Sequence, residues 1–253
     1  MNRTELERKL TALYRPRVFK DYAPNGLQVE GKQEINKIVT GVTASMALIE
    51  AAIEKQADAI IVHHGYFWKG ESEEIVGMKY RRISALIKND INLFGYHLPM
   101  DASLLAGNNA GLARALGLME LRPLEKEKPL EESIGVVGRI HEGVSPADFK
   151  AKIETAVGRE VLFEAVSEDL ITEVALCTGG AQGYIDKALA ANADVFITGE
   201  VSEKTIHTAR EEGIHFCAAG HHATECFGPR ALAGYIQEEW GVDCEFIDIP
   251  NPA

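Results

Sequence analysis

One order of strand and helix patterns occurs twice along the 253-residue chain, and this repetition limits the fold more than any other feature. The first copy runs from the β-rich segment "INKIVTGVT" through "ASMALIEAAIEKQ", which has apolar residues at helical spacing, to the apolar segment "ADAIIVHHG". A second helix pattern, the strand "INLFGYH" and the helix pattern "GNNAGLARALGL" follow. Alternating strands and helices are typical of α/β folds with at least partly parallel sheets.

The second copy begins at "ITEVALCTGG" and continues through "ADVFITGE" and "IHFCAAGHH", with a helix pattern after each. Matching local features aligns "NLFGYHLPMD" with "HFCAAGHHATE", which pairs His97 with His221 and Asp101 with Glu225. The sequence therefore predicts an α/β fold of two similar halves from an internal duplication, with layered sheets and flanking helices. Asp58 and Asp194, which precede matching strands, are expected to be turn or capping residues.

Residues 121–132, "LRPLEKEKPLEE", are rich in charge and contain two prolines, a composition typical of a linker. We therefore place a boundary there, with residues 1–125 as the first α/β domain and residues 126–253 as the second. The second domain is expected to begin with an added strand, helix and strand. Ser145 would be the N-cap of that helix, and Pro146 would take its first helical position.

The composition argues against several classes of function. A net charge of −12 and a pI near 5.2 disfavour an electrostatic grip on nucleic acid. Four cysteines without a CxxC pair favour reduced thiols in a cytoplasmic protein. The N-terminal "MNRTELERKL" predicts an amphipathic helix rather than a signal peptide. No apolar run reaches the roughly 18–20 residues of a membrane span.

Five of the eight histidines in the chain and two acidic residues lie where three predicted strands end. They are His63 and His64 at the first end, His97 and Asp101 at the second, and His221, His222 and Glu225 at the third. Ligand sites of α/β sheets gather beyond the carboxyl ends of strands. Imidazole with carboxylate is a donor set of Zn, Fe, Mn or Ni rather than of Mg or Ca. The sequence therefore predicts a metal site between the two halves.

The adjacent histidines His63 and His64 favour two ions over one. Successive side chains of a strand diverge, so neighbouring imidazoles do not easily meet at a single ion. Each imidazole instead serves one of two ions roughly 3.5–4 Å apart, which activate a shared water. Gly65 would permit close approach of the backbone. The matching strand of the second copy ends "FITGE" without histidine, so His221 and Glu225 are expected to complete an asymmetric site.

Two further segments leave structural and functional interpretations open. The turn from Gly179 to Gly183, in "CTGGAQG", is either a tight connection or a backbone site for an anion. The aromatic run Tyr66, Phe67 and Trp68 either packs over the metal site or a subunit contact, or stacks on a base. No Gly-x-Ser-x-Gly nucleophile elbow is present, and no cysteine has an evident catalytic partner. A covalent mechanism is therefore not expected.

Five long motifs occur in one order: "PNGLQVEG", "IIVHHGYFW", "GYHLPMDASLLAGNNAGLA", "ADVFITGE" and "AAGHHATECFGPRALAGYI". Together they resemble the type 2 GTP cyclohydrolase I-like family, also described as Ngg-interacting-factor-like, in its compact bacterial form. The resemblance extends from about residue 20 to the C-terminal "FIDIPNP". It implies a two-domain α/β subunit, a toroidal homohexamer and a dinuclear metal centre inside the ring.

The resemblance also implies which residues bind the two divalent ions. They are His63, His64, Asp101, His221 and Glu225. His97 would then support a neighbouring ligand instead of binding an ion itself. His222 would have a similar supporting role or a structural one.

The activity implied by the resemblance is hydrolytic opening of the purine ring of GTP or a related nucleotide by a metal-activated water, with release of formate. A metallohydrolase acting on a phosphoester or a damaged nucleotide is an alternative that uses the same ligands. A non-catalytic metal-bound ring that binds a partner is a third. The charge of −12 disfavours nucleic acid as that partner.

Overall fold

The computed structural model describes all 253 residues, which divide into two compact units. The first unit contains Met1–Gly107 and Gly228–Ile249, and the second contains Asn108–Phe227 and Pro250–Ala253. Each unit has one sheet with helices packed on both of its faces. No helix is both long and apolar enough to cross a membrane.

Eleven strands form the two sheets. In chain order they are β1 (Gly26–Val29), β2 (Lys37–Thr43), β3 (Ala59–His64), β4 (Asn92–Gly95), β5 (Met119–Pro123), β6 (Val136–Val144), β7 (Leu162–Glu164), β8 (Ile171–Leu176), β9 (Val195–Thr198), β10 (His215–Ala218) and β11 (Asp243–Phe246).

Ten α-helices accompany these strands. They are α1 (Arg3–Tyr14), α2 (Met46–Glu54), α3 (Gly77–Lys88), α4 (Leu98–Ala102), α5 (Asn108–Ala115), α6 (Pro146–Val157), α7 (Ile185–Ala190), α8 (Glu203–Glu212), α9 (His221–Glu225) and α10 (Phe227–Tyr235). The Ser145 hydroxyl accepts the Asp148 N–H at 3.2 Å, so the predicted N-cap of α6 is confirmed.

The sheet of the first unit has the order β1-β4-β3-β2-β11. Its last four strands are parallel, and β1 is antiparallel to β4 at one edge. Ile61 and Phe94 lie in one core with residues of α1 and α10, whereas Ile60 and Leu93 lie in another with residues of α2 and α3. A parallel sheet covered on both faces needs apolar residues at successive positions, which explains the continuous run in β3.

The sheet of the second unit has the order β5-β6-β8-β9-β10-β7. Strands β8, β9 and β10 are parallel, and the remaining pairings are antiparallel. Ile197 lies in one core with residues of α5 and α6, and Phe196 lies in the other with residues of α7 and α8. This unit therefore repeats the helix–sheet–helix layering of the first.

The order of elements confirms the predicted duplication. The series α1–β1–β2–α2–β3–α3–β4–α4–α5 recurs as α6–β7–β8–α7–β9–α8–β10–α9–α10. In both series the first strand is antiparallel to the last of three parallel strands. The predicted added strand, helix and strand is therefore only partly an addition. Helix α6 and strand β7 correspond to α1 and β1, which leaves β6 as the strand without a counterpart.

Asp58 and Asp194 repeat one set of hydrogen bonds in the two units. Asp58 Oδ2 accepts the N–H groups of Asn36 and Lys37, at 2.8 and 3.1 Å, where β2 begins. Asp194 Oδ2 accepts two N–H groups near the start of β8, both at 2.8 Å. The prediction that these aspartates are capping residues is confirmed, because each fastens the starts of two neighbouring strands together.

The compact units do not follow the predicted boundary at residue 125. Met119–Pro123, partly within the predicted linker, forms β5 and pairs with β6 in the second sheet. After α10, β11 pairs with β2 in the first sheet. The last helix and strand of each copy thus belong mainly to the unit built by the other copy. A linker-like composition reflects only local backbone preferences. It does not predict that the last helix and strand of each copy join the unit built by the other copy.

Replacing Asp58 by Asn should lower the free energy of unfolding by about 1–3 kcal/mol, because an amide nitrogen would face buried backbone donors. Asp186→Asn is the matched control, since Asp186 is exposed on α7 and a change there should stay within about 0.5 kcal/mol. Urea unfolding of the three proteins at neutral pH would measure both effects.

The same comparison should depend on pH. Burial opposes ionisation of Asp58, but the Lys32 ammonium and the two backbone N–H groups lower its pKa below the ordinary value. A depressed folded-state pKa stabilises the protein above the unfolded-state pKa of about 4. That stabilisation is lost as the pH falls through the folded-state pKa. The gap between wild type and Asp58→Asn should therefore narrow in acid, and a constant gap would contradict this role.

Candidate metal centre

The first unit brings His63, His64, His97 and Asp101 together. The adjacent histidines end β3, His97 is the N-cap of α4, and Asp101 lies on α4. One ring nitrogen of each histidine lies within 4.8 Å of one ring nitrogen of both others. His63 Nε2 lies 3.6 Å from Asp101 Oδ1, and both side chains are buried. We call these four residues the first cluster.

Every imidazole of the first cluster has a partner at Nδ1. The pairs are His63 with the Tyr96 carbonyl at 3.2 Å, His64 with the Thr43 hydroxyl at 3.2 Å, and His97 with the Asp21 carboxylate at 2.8 Å. A partner at Nδ1 fixes the ring orientation and favours Nε2 as the ligand nitrogen. The structure brings together the three histidines that the sequence placed at neighbouring strand ends, with a ring nitrogen of His97 near those of His63 and His64.

Asp21 is a firmly held partner for His97. Its side chain is only 4% exposed. Asp21 Oδ1 also accepts the Tyr22 N–H at 2.7 Å, and Oδ2 accepts the Leu98 N–H at 3.0 Å. Burial opposes ionisation, but hydrogen bonds from His97 and Asn25 lower the pKa of Asp21 to about 2. Asp21 is therefore an anion that orients His97.

In the second unit, His221 and Glu225 lie one turn apart on α9 and form the second cluster together with Glu200. His221 Nε2 lies 3.2 Å from Glu225 Oε1, and its Nδ1 lies 2.7 Å from Glu200 Oε1. The carboxylate of Glu225 and, to a smaller extent, that of Glu200 raise the pKa of His221 to about 9, although burial opposes the charged form of the ring. The raised pKa means that the His221 ring keeps its second proton at neutral pH, and a bound metal ion would displace that proton. The ion would then meet the imidazole and the carboxylate together.

Glycines at the ends of β8 and β9 make room for the second cluster. A Cβ on Gly179, whose φ is +70°, would overlap Glu225 Oε1, and one on Gly199 would lie 2.6 Å from the His221 Cα. The Gly199 N–H donates to the Gly179 carbonyl at 2.8 Å, and the Gly220 N–H donates to the Gly199 carbonyl at 3.0 Å. The turn at Gly179 is thus a tight connection that lets the Glu225 carboxylate approach.

Backbone register corrects the sequence alignment of the two copies by one residue. His97 is the N-cap of α4, whereas the N-cap of α9 is Gly220, after strands paired in the same register. The predicted equivalence of His97 with His221 is therefore wrong by one position, and so is that of Asp101 with Glu225. The sequence comparison matched residue types, whereas the structure matches the positions at which the strands end.

Sequence reasoning missed Asp21 and Glu200. Glu200 follows β9 at the position that His64 occupies in the other copy, so the repeat comparison contained its signal. Asp21 lies in an irregular segment 76 positions before His97, and no motif marks it. His222 has a neighbour of its own, because its Nε2 lies 3.5 Å from Cys226 Sγ.

The chain matches the family model described as Duf34/NIF3 (NGG1p interacting factor 3) over residues 1–252. A Haemophilus influenzae protein named GTP cyclohydrolase 1 type 2 homolog is 54% identical to it, with 100% of both chains covered. A solved structure described as protein ybgI, of unknown function, has a TM-score of 0.93 at 50% identity and covers 100% of both chains. The solved structure of TTHA1606 from Thermus thermophilus has a TM-score of 0.90 at 36% identity, again with 100% of both covered.

The chain belongs to the Duf34/NIF3 family, and the resemblance predicted from its motifs is confirmed. The donor chemistry of each unit fits a divalent transition metal. Imidazole nitrogens whose other ring nitrogen contacts a carboxylate or carbonyl, next to a buried carboxylate, are a typical environment for Zn, Fe, Mn or Ni.

Replacing Asp21 by Asn should weaken metal binding by about 10- to 100-fold, because His97 would lose the anion that orients it. Competition with a chromogenic chelator would measure the dissociation constant for Zn²⁺. Asp186→Asn again serves as the control, and it should bind Zn²⁺ as the wild type does. Equal affinities for Asp21→Asn and the control would contradict the role given to Asp21.

Proposed function

We propose that this protein is a dinuclear metal-dependent hydrolase whose metal ligands come from the first cluster and the second cluster. The observation that carries the proposal is the first cluster, in which oriented imidazoles meet a buried carboxylate where parallel strands end. Two ions of four or more ligands each need more donors than this cluster contains. His221 and Glu225 are the further donors that the proposal assigns.

The proposed substrate is a purine nucleotide such as GTP, or a related cyclic amidine. Relatives at 50–54% identity over the full chain carry the name GTP cyclohydrolase 1 type 2 homolog, which supports this choice. The proposed reaction is hydrolytic opening of the five-membered ring, with release of formate.

Bound divalent ions would supply Lewis acidity and an activated water for this reaction. The chain's own residues set the geometry. Asp21 holds His97, and Glu200 holds His221, so neither ring has to reorient during the reaction. The close approach at Gly179 keeps the Glu225 carboxylate beside His221. Asp101 is buried on α4 next to His63, where it would help to keep the ions in place.

The metal-loaded protein should release formate from GTP, and Asp101→Ala should abolish that release because an acidic donor is lost beside His63. Glu127→Gln is the control, since Glu127 is exposed and far from β3 in sequence. A coupled formate dehydrogenase assay, with bound metal quantified in each protein, measures the effect. Formate release that survives the loss of Asp101 would overturn this mechanism. Turnover of phosphoesters without formate release from GTP would favour the alternative metallohydrolase.

The homohexamer stays a prediction. Exposed apolar side chains at Ile75, Val76, Met78 and Tyr80 provide a surface that an assembly would cover. Light scattering tests the prediction, because a hexamer has six times the 27.7 kDa mass of one chain.

A further inference from the structure

Two aromatic side chains stand beside the imidazoles of the first cluster. The ring centroid of Trp68 lies 4.9 Å from that of His97 and 5.7 Å from that of His64. The Tyr22 centroid lies 5.0 Å from that of His97 and 5.7 Å from that of Trp68. Both rings meet His97 edge-on, at interplanar angles of 76° and 69°. Tyr22 and Trp68 therefore form one aromatic surface, which we call the aromatic wall.

The wall differs from the other aromatic residues of the same segment. Tyr66 is only 6% exposed and donates its hydroxyl to the Ala44 carbonyl at 2.7 Å, so it is a packing residue. Phe67 lies under the Lys79 ammonium, 5.2 Å from its ring centroid. Tyr22, in contrast, keeps 55% of its surface exposed beside the metal-ligand residues. Covering this apolar area with a ligand would be favourable.

Hydrogen bonds hold the wall in a fixed position. The Lys69 N–H donates to the Tyr22 carbonyl at 2.8 Å, which joins the two segments that carry the aromatic rings. Trp68 Nε1 donates to the Gly65 carbonyl at 3.1 Å, and its backbone N–H donates to Glu71 Oε2 at 3.2 Å. A preorganised aromatic surface loses little entropy when a planar ligand binds to it.

We propose that the aromatic wall binds the heteroaromatic ring of the substrate and holds that ring against the first cluster. The class of molecule bound is a planar, purine-type base. Such a ring has a face that can stack on the aromatic wall and ring heteroatoms that can face the residues of the first cluster. This inference rests on the proposed function and adds the surface that selects a ring over an open-chain substrate.

Fluorescence can test the contact directly, because the chain has only two tryptophans, Trp68 and Trp240. In metal-loaded Trp240→Phe, all tryptophan emission comes from Trp68. GTP and guanosine should quench this emission, whereas tripolyphosphate, which lacks the base, should not. Quenching by tripolyphosphate equal to that by GTP, or no quenching by either base-containing probe, would overturn the proposal.

Substitutions give a second measurement that does not depend on emission. Trp68→Leu and Tyr22→Leu should each raise the dissociation constant for GTP by about 5- to 100-fold, the range expected for one lost stacking contact. Tyr22→Phe should bind as the wild type does, because stacking needs the ring and not the hydroxyl. Phe67→Leu is the matched control, since Phe67 is 39% exposed in the same segment but lies outside the wall, under the Lys79 ammonium. Equilibrium dialysis would give the constants, with bound metal quantified for each variant.

The results separate the two proposals. Wild-type affinity in both leucine variants at full metal content would overturn the role of the wall, even if formate is released. Weakened GTP binding in both leucine variants of the wall, with metal content unchanged and wild-type affinity in Phe67→Leu, supports the wall. Absence of formate release would then overturn only the proposed hydrolysis.

Discussion

Parallel pairing of three strands is the constraint on which both clusters depend. Strands β2, β3 and β4 in the first unit, and β8, β9 and β10 in the second, all end at one edge of their sheet. Loops and short helices that follow such strands necessarily carry their side chains to that edge. At the opposite edge of each sheet, Asp58 and Asp194 fix the register in which neighbouring strands begin. This register also determines where the strands end and therefore where the ligand residues lie.

Orientation of the imidazoles is the second requirement for a metal centre. Carboxylates perform this task in both units, since Asp21 contacts His97 and Glu200 contacts His221. A carboxylate at Nδ1 makes the imidazole a better electron donor and fixes its tautomer. The copies use different positions for this purpose, because Asp21 precedes β1 whereas Glu200 follows β9. Divergence after the duplication thus changed the ligands more than the backbone that presents them.

Local sequence patterns predicted most strands, most helices and the duplication, because apolar periodicity reflects burial directly. They also identified the histidines and acids at the strand ends. The exchange of the last helix and strand between the units was not predictable, since pairing of β11 with β2 depends on tertiary structure alone. Asp21 was missed for a similar reason, because its contact with His97 joins positions far apart in the chain.

The central claim is that oriented imidazole nitrogens of both units bind metal. Anomalous scattering from crystals of the metal-loaded protein, collected on either side of the absorption edge, tests this claim most directly. The account predicts anomalous peaks roughly 2.0–2.3 Å from the Nε2 atoms of His63 and His64, and a peak at the same distance from Nε2 of His221. Crystals of protein with confirmed metal content that show no peak at these nitrogens would contradict it.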